Sequence, residues 1–400
     1  MTRFLHKILM NAAVAAALCV SASSCSMMED DNSDCPTGLY VRFAYDYNTQ
    51  RADMFRDHVG HVTLYVFDET GRKVAERSVS NGSALKPLRE YGYAIHFNEG
   101  ELPPGKYRLQ AVAMQKDWDE ALKAPGAKYR RTESVLGHTD LVVSLDHSAD
   151  PIAGTNYHEV RHNGAPMDTL WHTLRVTSTR PDFGRKVPDV HPTLPPYSVY
   201  PLEEQFVVVE KEKATYATVS LIRDTKHLDI TLRQIDDPDN MFDDHYSVEI
   251  LEPNAYLAHD NAVMKSDSLR YTPYAQWTTR LGNNGGIEIE DGNMGSAVQR
   301  TAHYNIMFNR LVIDPDNIKK GAILRIRHVG TGRVVALMNL THLLAQGRTA
   351  YELQNYPHQE YLDREYDYHL DFLLKGDAWA YCDIRINVLS WSKRIENIEL

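Results

Sequence analysis

The alternation of apolar and polar residues with a period of two limits the fold of this 400-residue chain more than any other feature. This period places every second side chain on one face of a β-strand, whereas a helix needs a period near 3.6. Helices are predicted only at Trp118–Leu122 and Asn339–Gln346. One apolar and one charged face per strand is typical of antiparallel sheets that pack face to face, so we predict an all-β fold. The apolar members of the series are Leu39, Val41, Phe43, Tyr45, Tyr47, Val62, Leu64, Val66, Tyr107, Leu109, Ala111, Ala113, Leu228, Ile230, Leu232, Tyr246, Val248, Ile250, Leu324, Ile326, Val334, Ala336, Met338, Tyr366, Tyr368, Leu370, Phe372, Leu374, Cys382, Ile384, Ile386 and Val388.

The strand series falls into two runs, and the chain is long enough for two domains. Five prolines between Pro188 and Pro201 lie near the division. They mark either a linker or a long loop late in the first domain. We therefore predict two β-sandwich domains, at residues 36–212 and 213–400.

Residues 1–24 have the pattern of an export signal. Two basic residues precede an apolar run, Ile8–Val20, that is too short to span a bilayer, and three small residues then lead to Cys25. This spacing is similar to that of bacterial lipoprotein signals, and we predict that Cys25 carries lipid. An ordinary secretory signal cut near Ala22 or Ser24 is the alternative.

The segment after the predicted lipidation site has the composition of a solvated tether. Residues 25–35 include four acidic residues and no basic one. No later apolar run approaches the roughly 20 residues that a membrane helix requires. Acidic residues directly after a lipidated cysteine also resemble the signal that sends lipoproteins to the outer surface in some Gram-negative anaerobes. We therefore expect a lipid anchor in the outer membrane, with the folded part facing outward.

The net charge of −11 argues against a nucleic-acid partner, because such binding needs a basic face that releases phosphate counterions. Apolar residues make up 43% and charged residues 24% of the chain, values that are typical of globular proteins.

Two cysteines remain in the mature chain once Cys25 is acylated. Cys35 and Cys382 are candidates for a disulfide, which is favoured in an exported protein. Cys382 is in phase with Ile384 and Ile386, so a buried reduced thiol is equally compatible with the pattern.

The segment His158–His162 reads HEVRH and matches the H-E-x-x-H motif of zinc peptidases. That chemistry requires a helix, because only its i, i+4 spacing brings both imidazoles to one metal. Pro151 and Gly154 precede the motif, and the sequence NGAP at 163–166 ends any helix immediately after it. We therefore interpret both histidines as polar loop residues and predict no enzymatic activity, no metal site and no cofactor.

Six segments together resemble the FimB-type fimbrium anchoring subunits of Gram-negative gut and oral anaerobes. In chain order they are 35–43 (CPTGLYVRF), 53–55 (DMF), 62–68 (VTLYVFD), 102–107 (LPPGKY), 221–228 (LIRDTKHL) and 386–391 (INVLSW). The resemblance covers nearly the whole mature chain. It implies two transthyretin-like β-sandwich domains, no catalysis, and a lipidated subunit that holds the fimbria to the outer membrane and influences its length.

The resemblance also implies fimbrillin stalk subunits as partners. Exposed sheet edges carry unpaired backbone groups and suit the addition of a strand from a neighbouring subunit. We predict that strand exchange involves the C-terminal segment, with Ile384, Ile386 and Val388 as contact residues. The alternative is that these residues complete the protein's own second sandwich. A tip or accessory subunit and a glycan-binding surface lipoprotein remain the competing functions.

Overall fold

The computed structural model describes residues 36–178, 206–264, 266–281, 299–314, 321–376, 378–388 and 391–395, the last two segments by their backbone alone. The strands of the first half are β1 (Gly38–Ala44), β2 (His61–Phe67), β3 (Lys73–Ser80), β4 (Ile95–Phe97), β5 (Gly105–Met114), β6 (Tyr129–Arg131), β7 (Val143–Leu145), β8 (Tyr157–Glu159), β9 (Leu170–Ser178), β10 (Val207–Val209) and β11 (Ala214–Arg223). Those of the second half are β12 (Lys226–Gln234), β13 (Tyr246–Glu252), β14 (Tyr256–Leu257), β15 (Val263–Met264), β16 (Ser268–Tyr271), β17 (Ala275–Leu281), β18 (Gln299–Phe308), β19 (Ile323–His328), β20 (Val334–Asn339), β21 (Asp367–Lys375), β22 (Ala378–Val388) and β23 (Trp391–Ile395). The helices are α1 (Phe55–His58), α2 (Trp118–Lys123), α3 (Leu340–Ala345), α4 (Ala350–Asn355) and α5 (His358–Arg364), with 3₁₀ turns at Pro87–Arg89 and Asp243–His245.

The first sheet contains eight strands in the order β3-β2-β5-β9-β11-β1-β4, with β10 paired to β5. β1 runs parallel to β11, and the other pairs in this sheet are antiparallel. Both faces of β2 are buried. Val62, Leu64 and Val66 face the core of the first sheet, as their alternation predicts. Tyr65 and Phe67 face a second, larger core on the opposite side.

Three further sheets enclose the larger core. Their strand orders are β17-β18-β12-β21-β22-β23, β20-β19-β13-β16-β8 and β15-β14-β7-β6. Two of their pairs, β12 with β21 and β8 with β16, are parallel. The all-β fold predicted from the alternation is confirmed, with parallel pairs that alternation alone does not reveal.

Sheet membership does not follow a simple division of the chain at residue 212. β11 lies beyond that position, yet it pairs with β1 and β9 of the first sheet. The chain leaves this sheet at Asp224 and Thr225, between β11 and β12. β6, β7 and β8, which belong to the first half of the chain, join sheets with β14 and β16 of the second half. We therefore propose a domain boundary near Asp224, with the segment 129–159 packed on the carboxyl-terminal half.

Local sequence explains where several turns and helices lie. The hairpin between β2 and β3 turns at Gly71, whose φ of +83° favours glycine, and Asp68 accepts hydrogen bonds from the backbone of Thr70 and Arg72. β5 begins at Gly105, directly after the Pro-Pro pair. Helices α2 and α3 lie at the two predicted positions. The alternation extends to Tyr47, but β1 ends at Ala44. Tyr45 lies beyond the end of the strand and is still buried.

Candidate functional site

The terminal hairpin, which we define as β22 and β23, lies at one edge of the six-stranded sheet. β22 pairs with β21 on one side and β23 on the other, and Ile384 lies opposite Leu370 and Ile395. Ile386 lies opposite Tyr368. Among the described residues, no strand pairs with the outer edge of β23. The backbone of the predicted contact residues thus belongs to the protein's own sheet, and the available edge is that of Trp391–Ile395.

An exposed apolar surface lies beside this hairpin. β20 approaches β22 without pairing with it, and β20 is itself an edge strand of the five-stranded sheet. Leu337 and Val334 on β20 are 62% and 43% exposed, and Val329 in the preceding turn is 58% exposed. Exposed apolar groups next to a strand edge are typical of surfaces that bind another protein.

The joint between the first and the six-stranded sheet is formed by residues 221–228, one of the segments that carries the family resemblance. Arg223, Asp224, Thr225 and Lys226 are all buried there. Oδ2 of Asp224 lies 2.6 Å from Nδ1 of His172, which is also buried. Because buried charges must be paired, this motif is explained by the structure of the joint rather than by a binding role.

Lys226 is the most strongly perturbed base of the joint. Its Nζ donates to the backbone oxygens of Asp363 and Glu365, at 2.8 Å each. Burial lowers the pKa of Lys226 to about 7, although the negative charges of Asp363 and Asp224 act to raise it. Sequence alternation did not single out these residues, because their burial depends on α5 packing against the joint.

The HEVRH segment forms no helix. His158 and Glu159 lie in β8, which corrects the expectation of a loop for His158, and His162 follows in a loop. His162 Nε2 lies 3.1 Å from Oγ1 of Thr272, while His158 Nδ1 lies 2.7 Å from the carbonyl oxygen of Ser148. The two imidazoles therefore have different partners and do not form a peptidase metal site.

A polar cluster occupies the outer face of the six-stranded sheet. His227 and Asp229 on β12 lie opposite Asp367 and His369 on β21. Nδ1 of His227 is 2.7 Å from Asp367, and Nδ1 of His369 is 3.1 Å from Asp229. Burial acts to lower the pKa of His369. The hydrogen bond to Asp229 and the negative charges of the neighbouring carboxylates outweigh burial and raise this pKa. Cross-strand His–Asp pairing accounts for this cluster.

A cleft of about 320 Å³ lies between β2, β3, α2 and β6. Its lining includes Tyr65, Trp118, Arg131 and Glu76. Arg131 donates to Tyr65 Oη at 3.1 Å, and its guanidinium lies 4.9 Å from the ring centre of Trp118. The cleft combines aromatic rings with charged groups, which is compatible with a small polar ligand.

Several predicted site residues lie outside what the structure describes. Cys25 and Cys35 precede the described range, and the side chain of Cys382 is not described. The backbone of Cys382 lies opposite Phe372. The proposed disulfide and the lipidation site therefore stay predictions. In the described part of the chain, no helix is both long and apolar enough to cross a membrane.

Comparison with solved structures defines the class of the protein. A candidate polysaccharide-binding protein from Bacteroides thetaiotaomicron shares 26% identity, with 90% of this chain and 99% of that chain covered and a TM-score of 0.60. A candidate adhesin from the same organism shares 21% identity over 90% and 99% of the chains, with a TM-score of 0.62. A candidate adhesin from Bacteroides ovatus shares 19% identity over 91% and 96%, with a TM-score of 0.55. The fold is thus one found in adhesin-like proteins of Bacteroides.

The chain belongs to the family of fimbrillin-A associated anchor proteins Mfa1 and Mfa2, whose model matches residues 32–397. The resemblance predicted from the six segments is confirmed at the level of the family. No curated protein matches the chain. Membership makes this a fimbria-associated protein of the cell surface, in a family of structural fimbrial anchor proteins.

Proposed function

We propose that this protein is the lipid-anchored subunit that attaches fimbriae to the outer membrane and influences their length. The position of the family match carries this proposal. The match begins at residue 32, within the acidic spacer that follows Cys25, and continues to residue 397. A match over the whole folded chain supports an anchor role for it, and the composition of residues 25–35 supports a tether before it.

Lipid at Cys25 supplies the membrane attachment in this proposal. Each buried CH₂ of an acyl chain contributes about 0.8 kcal/mol, so one chain binds marginally and several make release negligible. The acidic composition of residues 25–35 suits a solvated tether between the lipid and the fold.

The stalk subunit binds at the terminal hairpin and the neighbouring β20. None of the described strands pairs with the outer edge of β23, so this edge suits the addition of a strand. Val334 and Leu337 provide exposed apolar area on β20, which approaches β22 of the same hairpin. In this form of the proposal, Ile384, Ile386 and Val388 support the edge from within the sheet, and the strand of the partner adds beyond them.

Substitution of the lipidated cysteine tests the anchor. Cys25→Ala should release the mature protein and its attached fimbriae into the medium, whereas Cys19→Ala should leave both on the cell. Immunoblots of membrane and medium fractions, with electron microscopy of fimbriae, measure this result. Membrane retention of the Cys25 variant would contradict lipid anchoring. Release of the subunit while fimbriae stay on the cell would instead indicate a tip or accessory subunit.

The stalk contact is tested with two matched surface substitutions. Leu337→Asp should reduce fimbrial attachment because it places a charge on the exposed apolar surface of β20. Leu136→Asp is the control, since Leu136 is similarly exposed, at 68%, and lies beside β3 of the first sheet. Deletion of residues 392–400 should detach fimbriae while the folded protein stays on the membrane. Unchanged attachment in both the deletion and Leu337→Asp would place the contact elsewhere.

Glycan binding is the second candidate, favoured by the Trp118 cleft. The charged groups there can form hydrogen bonds with a sugar, and one similar structure is a candidate polysaccharide-binding protein. Purification of the native protein from outer membranes discriminates the two functions. Co-purified fimbrial subunits support the anchor, whereas co-purified polysaccharide that is lost in Trp118→Ala supports the glycan site.

A further inference from the structure

Two histidines and an aspartate converge where the segment 143–159 meets the second half of the chain. His147 follows β7, His158 lies in β8, and Asp267 immediately precedes β16. One potential ligand atom from each of the three side chains lies within 4.8 Å of the other two. These residues have no part in the anchor function proposed above.

The hydrogen bonds of both imidazoles prepare them to bind a cation. Nδ1 of His147 lies 2.8 Å from the carbonyl oxygen of Leu145, and Nδ1 of His158 lies 2.7 Å from that of Ser148. Because a carbonyl oxygen only accepts, each Nδ1 carries the proton and donates it. In the neutral ring, Nε2 then keeps a free lone pair. A histidine fixed in this way by a backbone carbonyl is the usual arrangement at metal sites.

The third residue can complete the set without a change in the fold. The two imidazole centres are 5.5 Å apart and nearly perpendicular, and His147 also packs against the ring of Tyr256. Asp267 has a side chain that is 67% exposed, and its Oδ2 lies 3.9 Å from Nε2 of His158. Ligands of one tetrahedral zinc ion are about 3.4 Å apart. The potential ligand atoms of the three side chains lie within 4.8 Å of one another, so rotation of the exposed carboxylate and small shifts of the two rings would bring them to that spacing.

We propose that His147, His158 and Asp267 bind one divalent transition cation of the zinc type. Two imidazoles and one carboxylate suit zinc better than calcium or magnesium, which prefer oxygen ligands. A water molecule fills the remaining position. The cation fastens β8 and the end of β7 to the loop before β16, and so links distant parts of the chain. The role of the cation is structural: it binds the folded protein and not the unfolded chain, and it therefore increases the free energy of unfolding.

This site differs from the peptidase motif in a way that provides its own control. Of the two histidines of HEVRH, only His158 belongs to the proposed site. His162 instead contacts Thr272 through Nε2. A site built from the sequence motif would need both histidines, whereas the structural site needs His147 and Asp267 from elsewhere in the chain.

Metal binding by the purified mature protein tests the proposal. After treatment with a chelator, the protein is dialysed against Zn²⁺ for stoichiometry and titrated with Co²⁺ for its visible absorption spectrum. We expect one equivalent of zinc and an increase in the thermal unfolding midpoint. His147→Gln, His158→Gln and Asp267→Asn should each weaken binding at least about 10- to 100-fold. His162→Gln should bind as the wild type does.

Asp267→Asn keeps the test sound if a histidine variant fails to fold, because Asp267 is on the surface. Absence of zinc binding by the wild type would overturn the proposal. So would binding that survives Asp267→Asn, or binding that His162→Gln abolishes. Loss of binding in His227→Gln, with binding retained in His147→Gln, would assign the cation to the cluster on the six-stranded sheet and overturn the proposal equally.

Discussion

Arg310 and Asp363 form a buried ion pair with two parallel contacts, from Nε to Oδ1 at 2.7 Å and from Nη2 to Oδ2 at 2.8 Å. Arg310 follows β18, and Asp363 lies in α5. The pair is joined by Gln359, which donates to Oδ1 of Asp363, and by Lys226, which donates to its backbone oxygen. This network fixes α5 against the joint between the sheets.

Removal of one partner should be costly because it leaves a buried charge unpaired. Asp363→Asn should lower the free energy of unfolding by about 3–5 kcal/mol, measured by urea denaturation. Asp146→Asn is the matched control, since the Asp146–Arg130 pair is exposed at the surface and worth less than about 1 kcal/mol. Equal losses in the two variants would contradict the importance of burial.

Gly38, in the first segment of the family resemblance, should tolerate no side chain. Its φ is +84°, and an added Cβ would lie 2.2 Å from the carbonyl oxygen of Phe97 on β4. Gly38→Ala should therefore destabilise the protein by more than the roughly 1 kcal/mol of backbone strain alone. Gly332→Ala separates the two effects, because Gly332 has a φ of +68° and open space around it. Equal decreases in the thermal unfolding midpoints of Gly38→Ala and Gly332→Ala would exclude the clash with Phe97 as the cause.

Glu252 at the end of β13 should make stability fall as the pH rises. Burial raises its pKa to about 8, and Oε2 has no hydrogen-bond partner among the described residues. Between pH 4.5 and 8 the unfolded chain ionises this carboxyl while the folded protein keeps the proton. The contribution of Glu252 to the free energy of unfolding is thus fully present below pH 4.5 and is lost as the pH rises through 8.

Glu252→Gln should remove this dependence, so that the wild type loses roughly 4 kcal/mol more than the variant between pH 4.5 and 8. Urea denaturation across this range measures the difference. Substitution of Glu69, an exposed residue that pairs with Lys106, serves as the control. If the free energy of unfolding changes equally with pH in the wild type and in Glu252→Gln, the Glu252 carboxyl is not desolvated.

Arg364 should not be replaceable by lysine. The guanidinium is fully buried and lies 4.1 Å and 4.5 Å from the ring centres of Tyr47 and Tyr356. Because lysine lacks the planar group that stacks on both rings, Arg364→Lys should cost about 2 kcal/mol. Arg51→Lys, at the exposed ring of Tyr351, should cost about 0.5–1 kcal/mol. A smaller loss at Arg364 than at Arg51, measured by denaturation, would contradict this account.

Alternation by itself determined the class of fold and the positions of strands such as β1, β2, β5 and β12. Val62, Leu64 and Val66 lie on one face because a strand has a period of two, and this holds in any tertiary context. The same pattern gave no sign that Tyr65 on the opposite face is buried as well. A polar or aromatic outer face becomes buried only when another layer covers it, and the layer here comes from β6 and β7.

Local chemistry also determined the turns and the absence of a helical metal motif. Pro, Gly and Asp restrict the backbone within a few residues, so the turn at Gly71 and the lack of a helix at His158 follow from their neighbours. The strand at His158 does not, because it depends on pairing with β16. The family resemblance likewise depended on short segments and was confirmed over residues 32–397.

Only the tertiary structure decided which distant residues meet. β11 joins the first sheet because it pairs in parallel with β1, which moved the proposed boundary beyond residue 212. His147, His158 and Asp267 come together through the pairing of β8 with β16, and Arg310 meets Asp363 through the packing of α5. Strand partners and the pairing of buried charges depend on contacts between residues far apart in the chain, so only the tertiary structure decides them. Hydrophobic period and turn chemistry act over a few residues, and for that reason they can be predicted from the sequence alone.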